Sequence, residues 1–322
     1  MLTPETRESN MTVQILLSTY NGQRFLDDQL KSIISQTIKD RGLLIRDDGS
    51  TDQTCDILKC FQQKYSWIHF YHGSNIGVQK SYLDLIRESD RQADYTVFSD
   101  QDDIWLPTKI ERALQCLKQL EEDSPKGIPL LYCSNTTPVD EELRVLHMEI
   151  QRVVKKTSFG NALIQNVCTG CTAVANRVLM DLLRDHLPGE SEKLIMHDWW
   201  IYLTASCFGK VYYDREAYIL YRQHGENTSK MKISRNELLL YRFRRLQKPG
   251  GAIYRQVEAF KKNFSDELKR QEYCKEYKLL KNLLQSERSF LGRLRVMWDR
   301  NYFRQKWSDD LIFRMIVLIG KL

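Results

Sequence analysis

The chain has 322 residues, 42% hydrophobic, 28% charged and 11% aromatic, with a formal net charge of +6. That balance excludes disordered, collagen-like and membrane-embedded chains and suits one large domain with an appendage. From Lys230 onward 23 Lys and Arg face 10 Asp and Glu, a local +13, whereas the residues before it carry 25 against 32, a local −7, so the two parts suit different partners.

Met1 to Met11 is polar and lacks the apolar core of a secretory signal, and no run reaches the roughly 18 apolar residues of a spanning helix; the expected location is the cytoplasm. Val13 to Ser18 reads as a first strand. Phe25, Leu26, Leu30, Ile33 and Ile34 then recur at helical spacing after the Asn21-Gly22 turn. Leu43 to Ile45 is a second strand ending in Asp47-Asp48-Gly49-Ser50, followed by a helix from about residue 52 to 63. Trp67 to Tyr71 is a third strand, Val78 to Glu88 a helix and Tyr95 to Ser99 a fourth strand, after which Pro107 starts a helix through Leu120. Four strand–helix units in series predict a parallel, nucleotide-binding α/β sheet whose ligands sit beyond the carboxyl ends of the strands, where Ser18, Asp48 and Asp100 fall.

Between Pro129 and Tyr221 strands are expected near 130–133, 172–175 and 211–213, with helices near 177–184 and 198–207; this part completes the sheet and the second substrate's site. From Ser234 the reading is helical, with Pro249-Gly250-Gly251 as the breaker. The eight cysteines, mostly in apolar segments, read as reduced core thiols. Cys168 and Cys171 make a lone Cys-x-x-Cys, with no second pair nearby to complete a zinc site.

The stretch Phe98-Ser-Asp-Gln-Asp-Asp-Ile-Trp-Leu-Pro107 puts Asp100, Asp102 and Asp103 at the mouth of a buried strand. Carboxylates crowded there lose hydration and repel one another, so a cation or strong donors must compensate. Asp100-x-Asp102 offers hard oxygens suited to Mn²⁺ or Mg²⁺, which take one or two carboxylates together with substrate phosphates. Taken alone, the motif is a solvated acidic turn. Neither Gly-x-x-x-x-Gly-Lys-Ser/Thr nor Gly-x-Gly-x-x-Gly occurs, so a P-loop or a dinucleotide dehydrogenase is disfavoured.

The acidic stretch does not stand alone. Ser18-Thr19-Tyr20-Asn21, Asp47-Asp48-Gly49-Ser50-Thr51-Asp52, Asn75-Ile76-Gly77 and Asp100-Gln101-Asp102 resemble, in order and spacing, the family 2 glycosyltransferases of the GT-A fold, over roughly residues 12 to 225. The resemblance implies a Rossmann-like sheet flanked by helices: a catalytic domain over 1–229, with donor half 12–125 and acceptor half 126–229, then a basic helical region over 230–322. It implies that Ser18 and Tyr20 line the donor site and that Asp48 accepts the base's N3–H. An acceptor-only carboxylate there selects uracil or thymine over cytosine. Either Asp47 or Asp48 is expected to serve as an N-cap or Asx-turn instead.

By the same resemblance Lys80 lies near the diphosphate, Asp102 binds the metal with Asp100 beside it at ribose or metal shell, and Arg222 and His224 close over phosphate or metal. His197-Asp198-Trp199-Trp200 resembles the acceptor-side motif, with Asp198 as general base. Trp199 and Trp200 are expected either as an apolar wall for a sugar or as core, and Gly170 in the acceptor loop as the point of close backbone approach. Leu44 to Ser50, Asp100 to Trp105 and Tyr221 to Gly225 carry a narrower likeness to bacterial rhamnosyltransferases of cell-wall polysaccharide or O-antigen synthesis, which implies dTDP-L-rhamnose as donor. UDP sugars stay open, as does a catalytically silent nucleotide-sugar or polysaccharide binder.

Residues 288–322 interleave Arg293, Arg295, Arg300, Arg304, Lys306 and Arg314 with Phe290, Leu291, Trp298, Tyr302 and Trp307. Such helices fit the inner face of the cell membrane, beside a lipid-linked glycan acceptor. A homodimer interface and a solvated basic face compete, and no nucleic-acid motif accompanies the charge.

Overall fold

Val13–Thr19 (β1), Arg41–Asp47 (β2), Ile68–His72 (β3) and Tyr95–Ser99 (β4) alternate with the helices Leu26–Ile34 (α1), Thr54–Lys64 (α2) and Val78–Glu88 (α3). β1 pairs in parallel with β2 and β4, and β2 with β3. Near-continuous apolar residues in β1 and β4 fit strands covered on both faces. Ile15 and Leu17 point into one core and Leu16 into the other, the two-residue alternation of a strand between two helical layers. The computed structural model describes residues 12–146, 154–189, 194–225 and 251–322. The expectations on Met1 to Met11, on Glu226 and Asn227, and on the helix from Ser234 to Gly250 lie outside these residues.

Ile104–Trp105 (β5), Lys109–Glu122 (α4), Leu130–Val139 (β6), Phe159–Ala162 (α5), Val174–Asn176 (β7), Arg177–Asp185 (α6), His197–Phe208 (α7) and Lys210–Arg222 (β8) complete the sheet and its cover. The strand order is β3-β2-β1-β4-β7-β6-β8-β5. The order of strands reverses between the parallel neighbours β1 and β4, so a crevice opens where Ser18 and Thr19 meet Asp100.

β6 and β8 are longer than expected. Polar residues of β6 such as Asn135 and Thr137 pair with Ala217 and Leu220 of β8 across two register shifts, and β5 pairs antiparallel with Leu220 and Ile219. α4 begins at Lys109, with Pro107 in the preceding turn, where its carbonyl accepts the Thr37 amide.

The helices Ala252–Asn263 (α8), Cys274–Arg288 (α9), Phe290–Trp298 (α10) and Trp307–Leu318 (α11) follow. Phe260 and Phe264 of this region pack against Trp200 and Phe208 of α7, with ring centroids 5.1–6.1 Å apart. One core therefore runs across the change of charge near residue 230. All eight cysteines are free; six are at least partly buried, and Cys60 and Cys274 are exposed.

Candidate active site

The end of β2 supplies two aspartates with different work. Asp47 is fully buried, accepts the Ser50 amide at 3.1 Å and bonds His72 Nδ1 at 2.6 Å and the Cys55 thiol at 3.4 Å. It forms the Asx-type turn. Burial and the Asp47 carboxylate push the Cys55 thiol up to about 11. Asp48 points the other way: its two oxygens accept the Ile76 and Gly77 amides, each at 2.9 Å, and one also meets Arg46 Nη1. The Asp47-Asp48-Gly49 and Asn75-Ile76-Gly77 motifs are thus one physical unit. Gly49 is required in it, since its φ is +83° and a Cβ would stand 2.9 Å from the Asn75 nitrogen.

Gln101, the middle residue of Asp100-x-Asp102, ties β1 to the acidic loop. Its side-chain oxygen accepts from Thr19 Oγ1 at 2.6 Å and from the Tyr20 amide at 2.9 Å, and its nitrogen donates to the Tyr20 carbonyl at 3.2 Å. Ser18 bonds Ser81 at 2.6 Å, Tyr20 exposes its ring at the mouth, and Lys80 lies exposed in the first turn of α3.

The three acidic residues diverge. Asp102 meets His224 Nε2 at 2.7 Å, although the two lie 122 residues apart. Asp100 accepts from the Tyr82 hydroxyl at 2.9 Å, and its carboxylate gathers with Asp103 and Cys171 within 4.8 Å. Lost hydration and then the Asp102 charge push Asp100 up to about 7. Asp103 is fully buried, accepts the Arg222 amide at 3.3 Å and is raised well above the carboxylate range by burial. Beneath it Lys109 is buried over the Trp105 ring, 3.5 Å from its centroid, and burial pushes it down to about 7.

This donor set fits a divalent cation. An oxygen from Asp102 and an imidazole nitrogen from His224 lie 2.7 Å apart, a carboxylate and a nitrogen donor side by side. Asp100 is turned toward Tyr82 and lies outside the Asp102–His224 pair.

Arg222 corrects an expectation. Its guanidinium is buried and donates to the Asp102 carbonyl at 2.9 Å, the Glu141 carbonyl at 2.6 Å and Asp28 at 3.1 Å, and it lies over the Phe25 ring. With its fork committed to the protein, it holds the Asp102 backbone instead of facing a diphosphate. Phe25 also contacts the His224 ring, with centroids 4.8 Å apart.

On the opposite wall α7 starts after Met196, whose side chain makes no cap bond, and Asp198 sits in the first turn. The helix start favours a carboxylate there. His197 is buried and stacks on Tyr82 at 3.9 Å and 21°, so one tyrosine contacts Asp100 through its hydroxyl and the Asp198 neighbour through its ring. Gly170 belongs to the same wall: a Cβ on it would stand 3.0 Å from His197 Nε2 and 3.5 Å from Asp198 Cβ.

Trp199 and Trp200 do not form a sugar wall. Trp200 is fully buried against Phe260 and Phe264, and Trp199 is 8% exposed with its indole N–H donated to the Ala162 carbonyl at 2.6 Å. Helical geometry turns both into the core once Asp198 faces the crevice.

Neither ring nitrogen of His197 has a hydrogen-bond partner among the described residues, and burial pushes it down from 6.5 to about 3. The unfolded chain therefore takes up a proton that the folded chain refuses. The resulting stability is present above pH 6.5 and is lost as pH falls toward 3, by up to about 1.4 kcal/mol per unit. His197→Gln is expected to flatten the acid limb of the Tm against pH curve; identical slopes for both proteins would show that His197 does not titrate this way.

The sequence profile described as Glycosyl transferase family 2 matches residues 14–183, more than half of the chain. The dTDP-rhamnosyl transferase RfbG of Shigella flexneri is 32% identical over 226 residues, covering 68% of this chain and 75% of that relative. The chain belongs to glycosyltransferase family 2.

Other relatives of this glycosyltransferase include the putative teichuronic acid biosynthesis glycosyltransferase TuaG of Bacillus subtilis, 29% identical over 33% of this chain and 42% of that protein. S. aureus TarS residues 1–349 in complex with UDP-GlcNAc aligns with a TM-score of 0.55 at 15% identity, covering 96% of this chain and 91% of that one. The mannosyltransferase PcManGT from Pyrobaculum calidifontis, in complex with GDP-Man and Mn²⁺, gives 0.51 at 13%, covering 96% and 76%. These likenesses show the shared GT-A fold, as expected. Sequence reasoning missed Gln101, Tyr82 and Lys109 in this glycosyltransferase. Gln101 was within reach, because the residue between two site aspartates lies opposite the end of β1; Tyr82 and Lys109 carry no local signal.

Proposed function

We propose that this family 2 glycosyltransferase is metal-dependent and inverting, and transfers L-rhamnose from dTDP-L-rhamnose to a hydroxyl of a growing, lipid-linked bacterial surface glycan at the inner face of the cell membrane. The observation that carries the reading is one crevice that holds the Asp102–His224 pair, the neighbouring Asp100 and Asp198, with Tyr82 bonding Asp100 and stacking on His197, the residue before Asp198. The rhamnosyl part rests on the likeness to a dTDP-rhamnosyl transferase over three quarters of that relative.

In this reading Asp48 accepts the imide N–H of the base through the acceptor position left on Oδ2 beside the Gly77 amide, since Oδ1 already takes the Ile76 amide and Arg46 Nη1. Ser18 and Tyr20 line the nucleoside, Lys80 approaches the phosphates, and Asp102 and His224 hold Mn²⁺ or Mg²⁺ with Asp100 adjacent. The bound cation supplies charge stabilisation for the departing diphosphate. Asp198 takes the acceptor hydroxyl proton while that oxygen bonds the anomeric carbon from the face opposite the leaving group. The carbon–oxygen bond to the phosphate breaks, and its electron pair leaves with the nucleoside diphosphate. Gly170 lets the acceptor loop approach, and Arg222 fixes the backbone that carries Asp102.

A UDP-sugar donor is the second reading, because Asp48 accepts from uracil and thymine alike and a fold neighbour is seen with UDP-GlcNAc. Hydrolysis of a panel of nucleotide sugars with Mn²⁺ separates the readings. Turnover is expected with dTDP-L-rhamnose above UDP sugars; preference for a UDP sugar overturns the donor assignment, and tight nucleotide binding without any turnover points to a silent binder.

A further inference from the structure

Helices α10 and α11 carry large apolar side chains on their outer as well as their inner sides, interleaved with charged residues such as Arg295 and Asp309. Their inner side chains Val296, Phe313 and Val317 are buried, as expected for helices packed on a core. On the outer sides Leu291, Trp298, Trp307, Leu311, Met315 and Ile319 are all 53–78% exposed. On and just beyond α11, positions 307, 311, 315 and 319 recur every four residues and therefore share one side. Of thirteen exposed large hydrophobics among the described residues, eight fall between 290 and 319, so this is a patch and not scatter. Soluble monomers rarely leave such a patch to water.

The charge around the patch selects its occupant. Residues 288–322 hold eight Lys and Arg against three Asp. Asp310 is committed to Arg314 Nε and the Arg304 amide, both at 2.9 Å, and Asp299 to Asn301. Arg288, Arg295 and Arg300 are exposed. A second copy packed on this face would bring cations against cations, whereas a lipid surface with anionic headgroups offers opposite charge above an apolar layer.

We propose that the outer face of α10 and α11 seats on an anionic lipid bilayer, with Trp307, Leu311, Met315 and Ile319 entering the interface and Trp298 and Trp307 at headgroup level. α11 has 12 residues, about 18 Å of helix, and lies in the plane of the surface. No helix among the described residues is long and apolar enough to cross a membrane. The proposal gives residues to the lipid-linked-acceptor reading and rests on it only for its purpose.

The test uses the full chain and its Leu311→Glu/Met315→Glu form, both positions being exposed, in flotation with phosphatidylglycerol-containing and pure phosphatidylcholine vesicles. Donor hydrolysis without vesicles and light scattering accompany it. Wild type is expected to float with the anionic vesicles and less so in high salt, and the double variant to lose at least about ten-fold in partitioning with hydrolysis unchanged. Wild type that stays in the soluble fraction overturns the proposal. So does a double variant that floats equally well, or a wild-type dimer that the variant splits. Unchanged hydrolysis alongside failed flotation sinks this surface alone, whereas absent hydrolysis with intact flotation sinks the transferase reading and leaves the surface standing.

Discussion

Replacing Asp198 by Asn is expected to lower turnover by about 10²- to 10⁴-fold while donor affinity stays within about two-fold of wild type. The substitution keeps size and hydrogen-bonding capacity but removes the basic oxygen, so it separates proton removal from helix capping. The position already argues for that separation: α7 has Met196 at its cap and Asp198 inside the first turn, where an Asn loses only the charge–dipole interaction, about 0.3–1 kcal/mol. Asp198 also adjoins His197, which is buried, neutral near pH 7 and stacked on Tyr82, so the carboxylate stands on a rigid wall. Initial rates against acceptor concentration, with donor binding measured separately, provide the check. An unchanged rate removes Asp198 from the role of base.

Replacing Asp102 by Ala is expected to reduce transfer on the order of 10³-fold and to abolish the rise in Tm that Mn²⁺ gives the wild type. The side chain's hydrogen bond is to His224 and both side chains are largely buried, so the metal-free Tm is expected to fall as well, and the Mn²⁺ shift is read against each protein's own metal-free Tm. His224→Ala is expected to weaken Mn²⁺ binding while keeping part of the activity at high Mn²⁺, since a carboxylate and the substrate phosphates remain as ligands. Because the thermal shift reads metal binding without turnover, it distinguishes loss of the cation from loss of chemistry. Full activity and an intact Mn²⁺ shift in the Asp102 variant would contradict the assignment.

β1 to β4 and the helices between them follow from apolar periodicity and from turn residues that act over a few positions. β6 and β8 were seen only in part because Asn135, Thr137 and Asp214 are polar; they are strand residues through pairing with one another, not through propensity. The family motifs located the crevice, since residues at strand ends must converge there whatever the loops do.

The sequence by itself determined the α/β order, the glycosyltransferase family and the acidic loop, because each depends on local spacing or on motifs in series. Tertiary structure decided that Asp47 makes the turn while Asp48 holds the Ile76–Gly77 loop, that Trp200 is core, and that Arg222 clamps Asp28 across 194 residues. It also brought His224 to Asp102 and set Tyr82 between Asp100 and His197. Where a side chain points depends on the partner that packs against it, and those partners lie far along the chain.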